Sequence, residues 1–155
     1  MRIEYLADYP QYVPTMASWS YQEWGWFTPG NSIHAVEAKF HAHRNRDTLP
    51  IAFVALEGSE VLGMASLRSH DMGVRTDLTP WLGGVYVAPA YRQQGHGRCL
   101  VATVEQKAKE LGFKLIYLFT FDKEGWYSAC GWQVLECTTY RNHPVEIMGK
   151  ALPSY

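Results

Sequence analysis

Two glycines one residue apart, Gly95 and Gly97, fall between the apolar run Val85-Tyr86-Val87 and an amphipathic segment that starts near Leu100. N–H groups at the start of a helix lack intrahelical partners and lie at the positive end of the helix dipole, so small residues at such a junction admit phosphate oxygens. The ligand chemistry this suits is a diphosphate. Neither a Gly-x-x-x-x-Gly-Lys motif followed by Ser or Thr nor the third glycine of a dinucleotide fingerprint is present, which weakens both of those alternatives. Proton-handling groups lie in other segments. Glu23, His70 and Asp71 are candidates for a base or for substrate contacts, His70 because an imidazole titrates near neutral pH. No spacing singles one of them out, and the base stays unassigned. His41 and His43 lie two apart on a helical stretch and face different sides, so they read as a solvated face, and no metal site is expected. Cys99, beside Leu100, is expected to be buried and not to act as a nucleophile, because a working thiolate needs exposure and a nearby base.

The elements that hold these groups follow from periodicity. Arg2 to Leu6 alternates and reads as a first strand, while Val13, Met16 and Ala17 recur at helical spacing. Asn31 or Ser32 can cap a second helix carrying Ile33, Val36 and Phe40 and ending near Asp47 to Pro50. Ser20 or Tyr21 continues the spacing of the first helix, and the chain is strongly aromatic through Trp19, Tyr21, Trp24, Trp26 and Phe27 before Pro29-Gly30 breaks it. These rings either cover a sheet face or line a pocket. Residues 51–56 and 61–67 are apolar, β-prone runs joined by Glu57-Gly58-Ser59-Glu60, which favours a hairpin. A polar loop from His70 to Pro80 leads into a fourth strand, 81–87, in which Gly83-Gly84 marks a bulge or close backbone approach that pushes a neighbouring strand away. Leu100, Val101, Val104, Ala108 and Leu111 form the apolar stripe of the next helix, with Lys107 among the residues facing elsewhere. Gly112 ends that helix, and 115–119 reads as a fifth strand parallel to the fourth. A short helix before Gly131 and an antiparallel pair, 132–139 and 145–151, joined at Arg141-Asn142-His143-Pro144, complete the chain.

The 155 residues are the size of one ordinary domain, and 47% hydrophobic residues are ample for a packed core, so a single domain over 1–155 is expected. Fourteen Lys and Arg against fifteen Asp and Glu leave a formal charge of -1 with no long basic run, which gives no reason to expect nucleic acid or an anionic membrane as partner. No uncharged apolar run of about 18 residues suggests a membrane span, and no signal-peptide pattern opens the chain. Three cysteines without Cys-x-x-Cys spacing point to reduced thiols and a cytoplasmic location.

Val85-Tyr86-Val87 and then Tyr91-Arg92-Gln93-Gln94-Gly95-His96-Gly97 resemble the signature of the GCN5-related N-acetyltransferase (GNAT) superfamily. In that signature Arg or Gln, two residues, Gly, one residue and Gly or Ala join a strand to a helix; Arg92 or Gln93 leads to Gly95 and Gly97 here. The element order resembles the family from Arg2 to Leu152. The resemblance implies a mixed α/β (α+β) fold of GNAT type. Its central sheet has six or seven mostly antiparallel strands with a parallel pair formed by the fourth and fifth, flanked by about four helices. It implies acetyl-CoA as co-substrate, its pyrophosphate on the amides of Gln94, Gly95, His96, Gly97 and Arg98, with charge added by Arg92 and Arg98. The pantetheine arm would lie along Val85, Tyr86 and Val87, and an N–H near Gly83-Gly84 would polarise the thioester carbonyl. His96 is expected to lend its backbone N–H rather than act as a base.

Trp126-Tyr127-Ser128-Ala129-Cys130-Gly131-Trp132 resembles the family's aromatic-Tyr, three residues, Gly-aromatic ending. The resemblance implies that Tyr127 is the general acid that returns a proton to the departing thiolate, which suits a phenol titrating near 10. The other reading is a core tyrosine with its hydroxyl tied to backbone. The Asn and Ala that the family commonly carries ahead of this tyrosine are absent from Phe121 to Gly125, so no cofactor contacts are assigned there. The activity implied is direct acetyl transfer to the primary amine of a small molecule or a peptide N-terminus in a ternary complex. The alternative is a non-catalytic acyl-CoA-binding module with a protein partner. Asp8 and Glu23 give a slight lean toward a cationic acceptor, and a homodimer is compatible with the family.

Overall fold

Alternating apolar residues make a strand that is buried on both faces where both have something to pack against, and the second strand is built that way. In the computed structural model, which describes residues 1–153, Ile51, Phe53 and Ala55 of β2 (Ile51–Glu57) join one core cluster while Ala52, Val54 and Leu56 join another. The remaining strands are β1 (Arg2–Tyr5), β3 (Glu60–Arg68), β4 (Trp81–Val87), β5 (Leu115–Thr120), β6 (Gln133–Tyr140) and β7 (His143–Ala151). They form one sheet of 7 strands in the order β1-β2-β3-β4-β5-β7-β6. Every neighbouring pair is antiparallel except β4 and β5, the parallel pair anticipated from the helix between them.

Helices α1 (Val13–Trp24) and α2 (Ile33–Ala42) cover one face, packing Val13, Met16, Ala17, Val36 and Phe40 against Val54 and Met64. Ser32 caps α2, its hydroxyl accepting from the Ala35 N–H at 3.1 Å, a contact worth about 1 kcal/mol in such caps. Helix α3 (His96–Glu110) covers the other face with Leu100, Val101, Val104 and Ala108, and burial of each Leu or Val there stabilises by roughly 1.5–3 kcal/mol. A short α4 (Glu124–Ala129) follows β5. Among the described residues no helix is long and apolar enough to cross a membrane.

Several details differ from the sequence reading. Helix α2 stops at Ala42 rather than near Asp47. His43, read as part of a solvated face, is only 3% exposed. It sits just past the helix end, where its Nδ1 donates to the Lys39 carbonyl at 2.6 Å, one of the carbonyls that α2 leaves without an intrahelical partner. Cys99, expected to be buried, is exposed, because it lies on the side of α3 away from the stripe that starts at Leu100. Lys107, read as facing outward, is buried, its ammonium 5.2 Å from the Tyr5 ring centre and 3.4 Å from Asp47 Oδ1, so the long stem covers apolar surface while its charge finds an outer partner. The last hairpin turns on Arg141 and Asn142 alone, both left-handed (φ 50 and 66), which leaves Pro144 inside β7.

Candidate active site

Strands β4 and β5 share one registered pair, Trp81 with Tyr117, and then part. The gap between them opens into a cleft of about 910 Å³ lined by Leu82 to Val87 on one side and Leu118 to Lys123 on the other. The neighbour pushed away is thus β5. The irregularity at Gly83-Gly84 lies against β3, where pairing jumps between Met64–Tyr86 and Ser66–Gly83, and Gly84 is left-handed at φ 62. Side-chain space explains the glycines as well. A Cβ on Gly83 would sit 2.6 Å from Arg68 Nη1, and one on Gly84 would sit 3.0 Å from Arg68 Nη2, so the guanidinium lies directly against this backbone.

At the far end of β4 a 3-10 turn over Pro89–Tyr91 leads to Gln93 and Gly95, both left-handed at φ 64 and 87, and so into α3. Among the described residues no side chain caps that helix. Its first turn bonds back only from the Cys99 N–H to the Gly95 carbonyl at 3.2 Å, which leaves the N–H groups of His96, Gly97 and Arg98 at the positive end of a 15-residue dipole. Gly97 is tight for a second reason: a Cβ there would meet the Trp126 ring at 3.2 Å. Arg92 is turned back, its Nε donating to the Val87 carbonyl at 2.7 Å and its guanidinium 5.3 Å from the Tyr86 ring centre. A cradle of free amides on a long helix, walled by glycines, fits the pyrophosphate of a CoA thioester.

Helix α4 holds Tyr127 at the cleft wall opposite β4. Its ring packs on Trp126 at 4.9 Å and Trp132 at 6.2 Å, Lys150 donates to the Cys130 carbonyl at 2.8 Å, and Glu105 ties Lys150 to the Trp132 indole. Burial pushes the phenol above its ordinary range, with Cys130 and Asp71 adding to the shift, so the hydroxyl is held protonated.

A cluster of charge that the sequence did not reveal fills the other end. Arg68, at the end of β3 and 7% exposed, donates from Nε to His43 Nε2 at 3.0 Å and from Nη1 to Asp71 Oδ1 at 2.9 Å. His43 therefore carries its proton on Nδ1 and is neutral; burial first, then the Arg68 charge, pull its pKa down to about 3. Lys39 lines the same part of the cleft and is pushed down to about 8, chiefly by the Arg68 charge and then by burial, with Asp71 opposing and Arg141 adding. Its side chain opens to the solvent of the cleft, so neighbouring charge is the cause to weigh first.

The cleft brings together Glu23, Asp71, Val85, Tyr86, Val87, Arg92, Gln93, Gly95, His96, Gly97, Arg98 and Tyr127 of the residues proposed from sequence. Gln94 is exposed in the loop beside it, and His70 is exposed and outside the lining. The aromatic run divides its work: Trp24 and Phe27 line the cleft, Trp19 packs 5.2 Å from Tyr86, and Trp26 is 57% exposed. Asp8 is spent on an ion pair with Arg46 away from the cleft. Lys39, Arg68 and Arg141 went unmarked as site residues because each stands alone in its segment, and His43 was read only as part of a solvated face. The one local signal was the double glycine that makes room for Arg68.

Comparison with solved structures shows the same fold throughout. An aminoglycoside 6'-N-acetyltransferase complexed with coenzyme A superposes with a TM-score of 0.77 at 18% identity, covering 100% of this chain and 99% of that one. The aminoglycoside 6'-N-acetyltransferase of Enterococcus faecium gives 0.74 at 19% identity, with 100% and 99% covered. The Salmonella typhimurium protein yncA, solved with its cofactor acetyl-CoA, gives 0.72 at 17% identity, with 99% and 95% covered. No curated protein sequence matches the chain. The sequence itself matches the Acetyltransferase (GNAT) family over residues 13–132. With the cradle at α3 and the parted strands in view, this match makes the chain a member of the Acetyltransferase (GNAT) family, an N-acetyltransferase that takes acetyl-CoA as co-substrate.

Proposed function

We propose that this protein, as one domain over residues 1–155, moves the acetyl group of acetyl-CoA directly onto the primary amine of a small molecule, or of a peptide N-terminus, within a ternary complex. The observation that carries the reading is the gap between β4 and β5, which runs from the uncapped start of α3 past Tyr127 to Asp71 and Arg68. Acetyl-CoA supplies the acyl carbon as a thioester. The amides from Gln94 to Arg98 hold the pyrophosphate, and the β4 edge at Val85, Tyr86 and Val87 takes the pantetheine as a strand-like partner. Asp71 receives the amine: its Oδ1 is bound to Arg68, while Oδ2 lies 3.1 Å from where a Gly83 Cβ would stand. As the amine nitrogen bonds to the acyl carbon and the C–S bond breaks, Tyr127 donates to sulfur, and the proton lost by the amine leaves by way of Asp71 or water. Burial keeps the Tyr127 phenol in its protonated form at neutral pH, the form that a hydrogen-bond donor to the departing sulfur must have.

Cys99 carries no acyl group in this scheme; it is a free thiol that stands exposed on the outer side of α3. Aminoglycosides, the acceptors named for two of the similar structures, are polycations, and the cations Lys39, Arg68 and Arg141 in this cleft favour a different acceptor. A mass-detected screen of amines with acetyl-CoA tests the reading. An acceptor should gain one acetyl group, initial-rate lines should intersect when both substrates are varied, and no acetylated protein should accumulate. Parallel lines with acetyl on Cys99 would sink the direct mechanism.

A further inference from the structure

The two ends of β4 differ in what they offer. Val87 stands beside the start of α3, whereas Gly83 and Gly84 stand beside the Arg68 guanidinium, four residues and roughly 13 Å back along the strand. Three cations line this second end: Lys39 from α2, Arg68 from β3 and Arg141 from the turn between β6 and β7. Arg141 is held there by its bond to Thr28 Oγ1 at 3.0 Å and by the faces of Phe27 and Tyr140, whose centres lie 5.0 and 4.9 Å away. Asp71 is the carboxylate that acts on Lys39, and one of its oxygens is already occupied by Arg68. Glu23 and Asp122 also line the cleft, and both are shared with a second hollow formed with Trp26 and His143. His43 adds hydrogen bonds to the cluster without negative charge, since it is neutral.

Resting on the transferase reading above, we infer that the acceptor carries a carboxylate beside its amine, and that Lys39, Arg68 and Arg141 form the subsite that holds it. Arg68 is oriented for this: with Nε and Nη1 engaged by His43 and Asp71, Nη2 remains against Gly84. A guanidinium fixed in place gives up little freedom on binding a carboxylate, and its planar fork matches that group. The crowding of positive charge that unsettles the Lys39 ammonium is relieved when an anion enters. Asp71 Oδ2, next to Gly83, then faces the amine, so the pair of subsites matches the ammonium and carboxylate of an amino acid. A free amino acid and the acidic N-terminal residue of a peptide present the same two groups.

The test compares amino acids with their primary amides, an acidic-N-terminus hexapeptide with its neutral counterpart, and the aminoglycoside kanamycin, each with acetyl-CoA and corrected for the fraction of free amine. The carboxylated member of a pair should be favoured at least about tenfold in kcat/KM, the ratio one good charge-assisted contact supports. Lys39 opens to the cleft and its replacement leaves the core intact, so Lys39→Met should shrink that preference to about threefold or less while the KM for acetyl-CoA stays within about twofold. Lys39→Glu should turn the preference toward the amides. Whether free amino acids or peptides give the larger values assigns the source. Equal or better turnover of amides or kanamycin, or a preference untouched by Lys39→Met, overturns the inference while leaving the transferase reading standing. If acetyl-CoA binds and no amine is acetylated, the transferase reading fails, and thermal shifts with CoA plus glutamate decide the subsite. Stabilisation by glutamate that Lys39→Met removes supports it, and no stabilisation overturns it.

Discussion

Around α3 the cleft offers backbone amides from one continuous stretch of chain, whereas around Arg68 it offers side chains gathered from α2, the end of β3, the loop after it and the β6–β7 turn. The donor half rests on conformations that few residues adopt, Gly95 at φ 87 and Gln93 at φ 64, and on an uncapped helix start. The acceptor half rests on groups that hold one another, His43 to Arg68 across 25 residues of sequence and Arg68 to Asp71 across a further 3. Backbone recognition of this kind is indifferent to side-chain identity and suits a co-substrate that never changes. Recognition by assembled side chains can be altered one residue at a time, which is what a family with many acceptors requires.

The comparison breaks most visibly at Arg68. Arg68→Met should leave the half-buried Asp71 without its partner and the buried His43 Nε2 without a donor, destabilising the fold by roughly 3 kcal/mol in urea denaturation and abolishing transfer. A loss near 1 kcal/mol would mean that water replaces the guanidinium and that the cluster is less dry than its burial indicates. Next in size is Tyr127→Phe, which removes the hydroxyl but keeps the packing on Trp126 and Trp132. It should lower kcat by about 100-fold and leave the acetyl-CoA Kd within about twofold, because the contact matters as the C–S bond breaks. An unchanged kcat would move the proton donor elsewhere. On the donor side, Gly97→Val forces the Trp126 ring to give way and crowds the amides of the α3 start. The KM for acetyl-CoA should rise about tenfold while the KM for the acceptor holds, since the two halves do not share this contact.

These outcomes bear on why one half was legible in the sequence and the other was not. Gly95 and Gly97 stand beside the strand and helix they join, and Gly83-Gly84 marks its own irregularity, so local spacing carried the donor half and the parallel pairing of β4 with β5. The apolar stripe from Leu100 to Ala108 gave α3 for the same reason. Lys39, Arg68 and Arg141 meet in the cleft only through the tertiary fold, and so does His43 behind Arg68. His43 sits where α2 has just ended, and a helix boundary shifted by a few residues turns a buried imidazole into an apparently exposed one. Cys99 failed in the opposite sense. A residue next to an apolar position on a helix is a quarter-turn or more away from it, and that rotation sent the thiol outward.

The smallest effect separates the halves by pH. His43 is neutral in the fold, held to about 3 first by burial and then by the Arg68 charge, while in the unfolded chain it titrates near its ordinary 6.5. Between those values the unfolded chain binds a proton that the fold does not. Stability should therefore rise with pH through this window and be lost as pH falls from about 6.5 toward 3, by up to about 1.4 kcal/mol per pH unit. His43→Gln can still accept from Arg68 and donate to the Lys39 carbonyl, yet it cannot titrate, so its denaturation midpoints between pH 5 and 6.5 should fall less steeply by about one proton's worth of slope. Gly97→Val, in the donor half, should keep the slope of the parent. Identical slopes for His43→Gln and the parent would show that the imidazole accepts a proton inside the fold, and the neutral link between α2 and Arg68 would then be wrong.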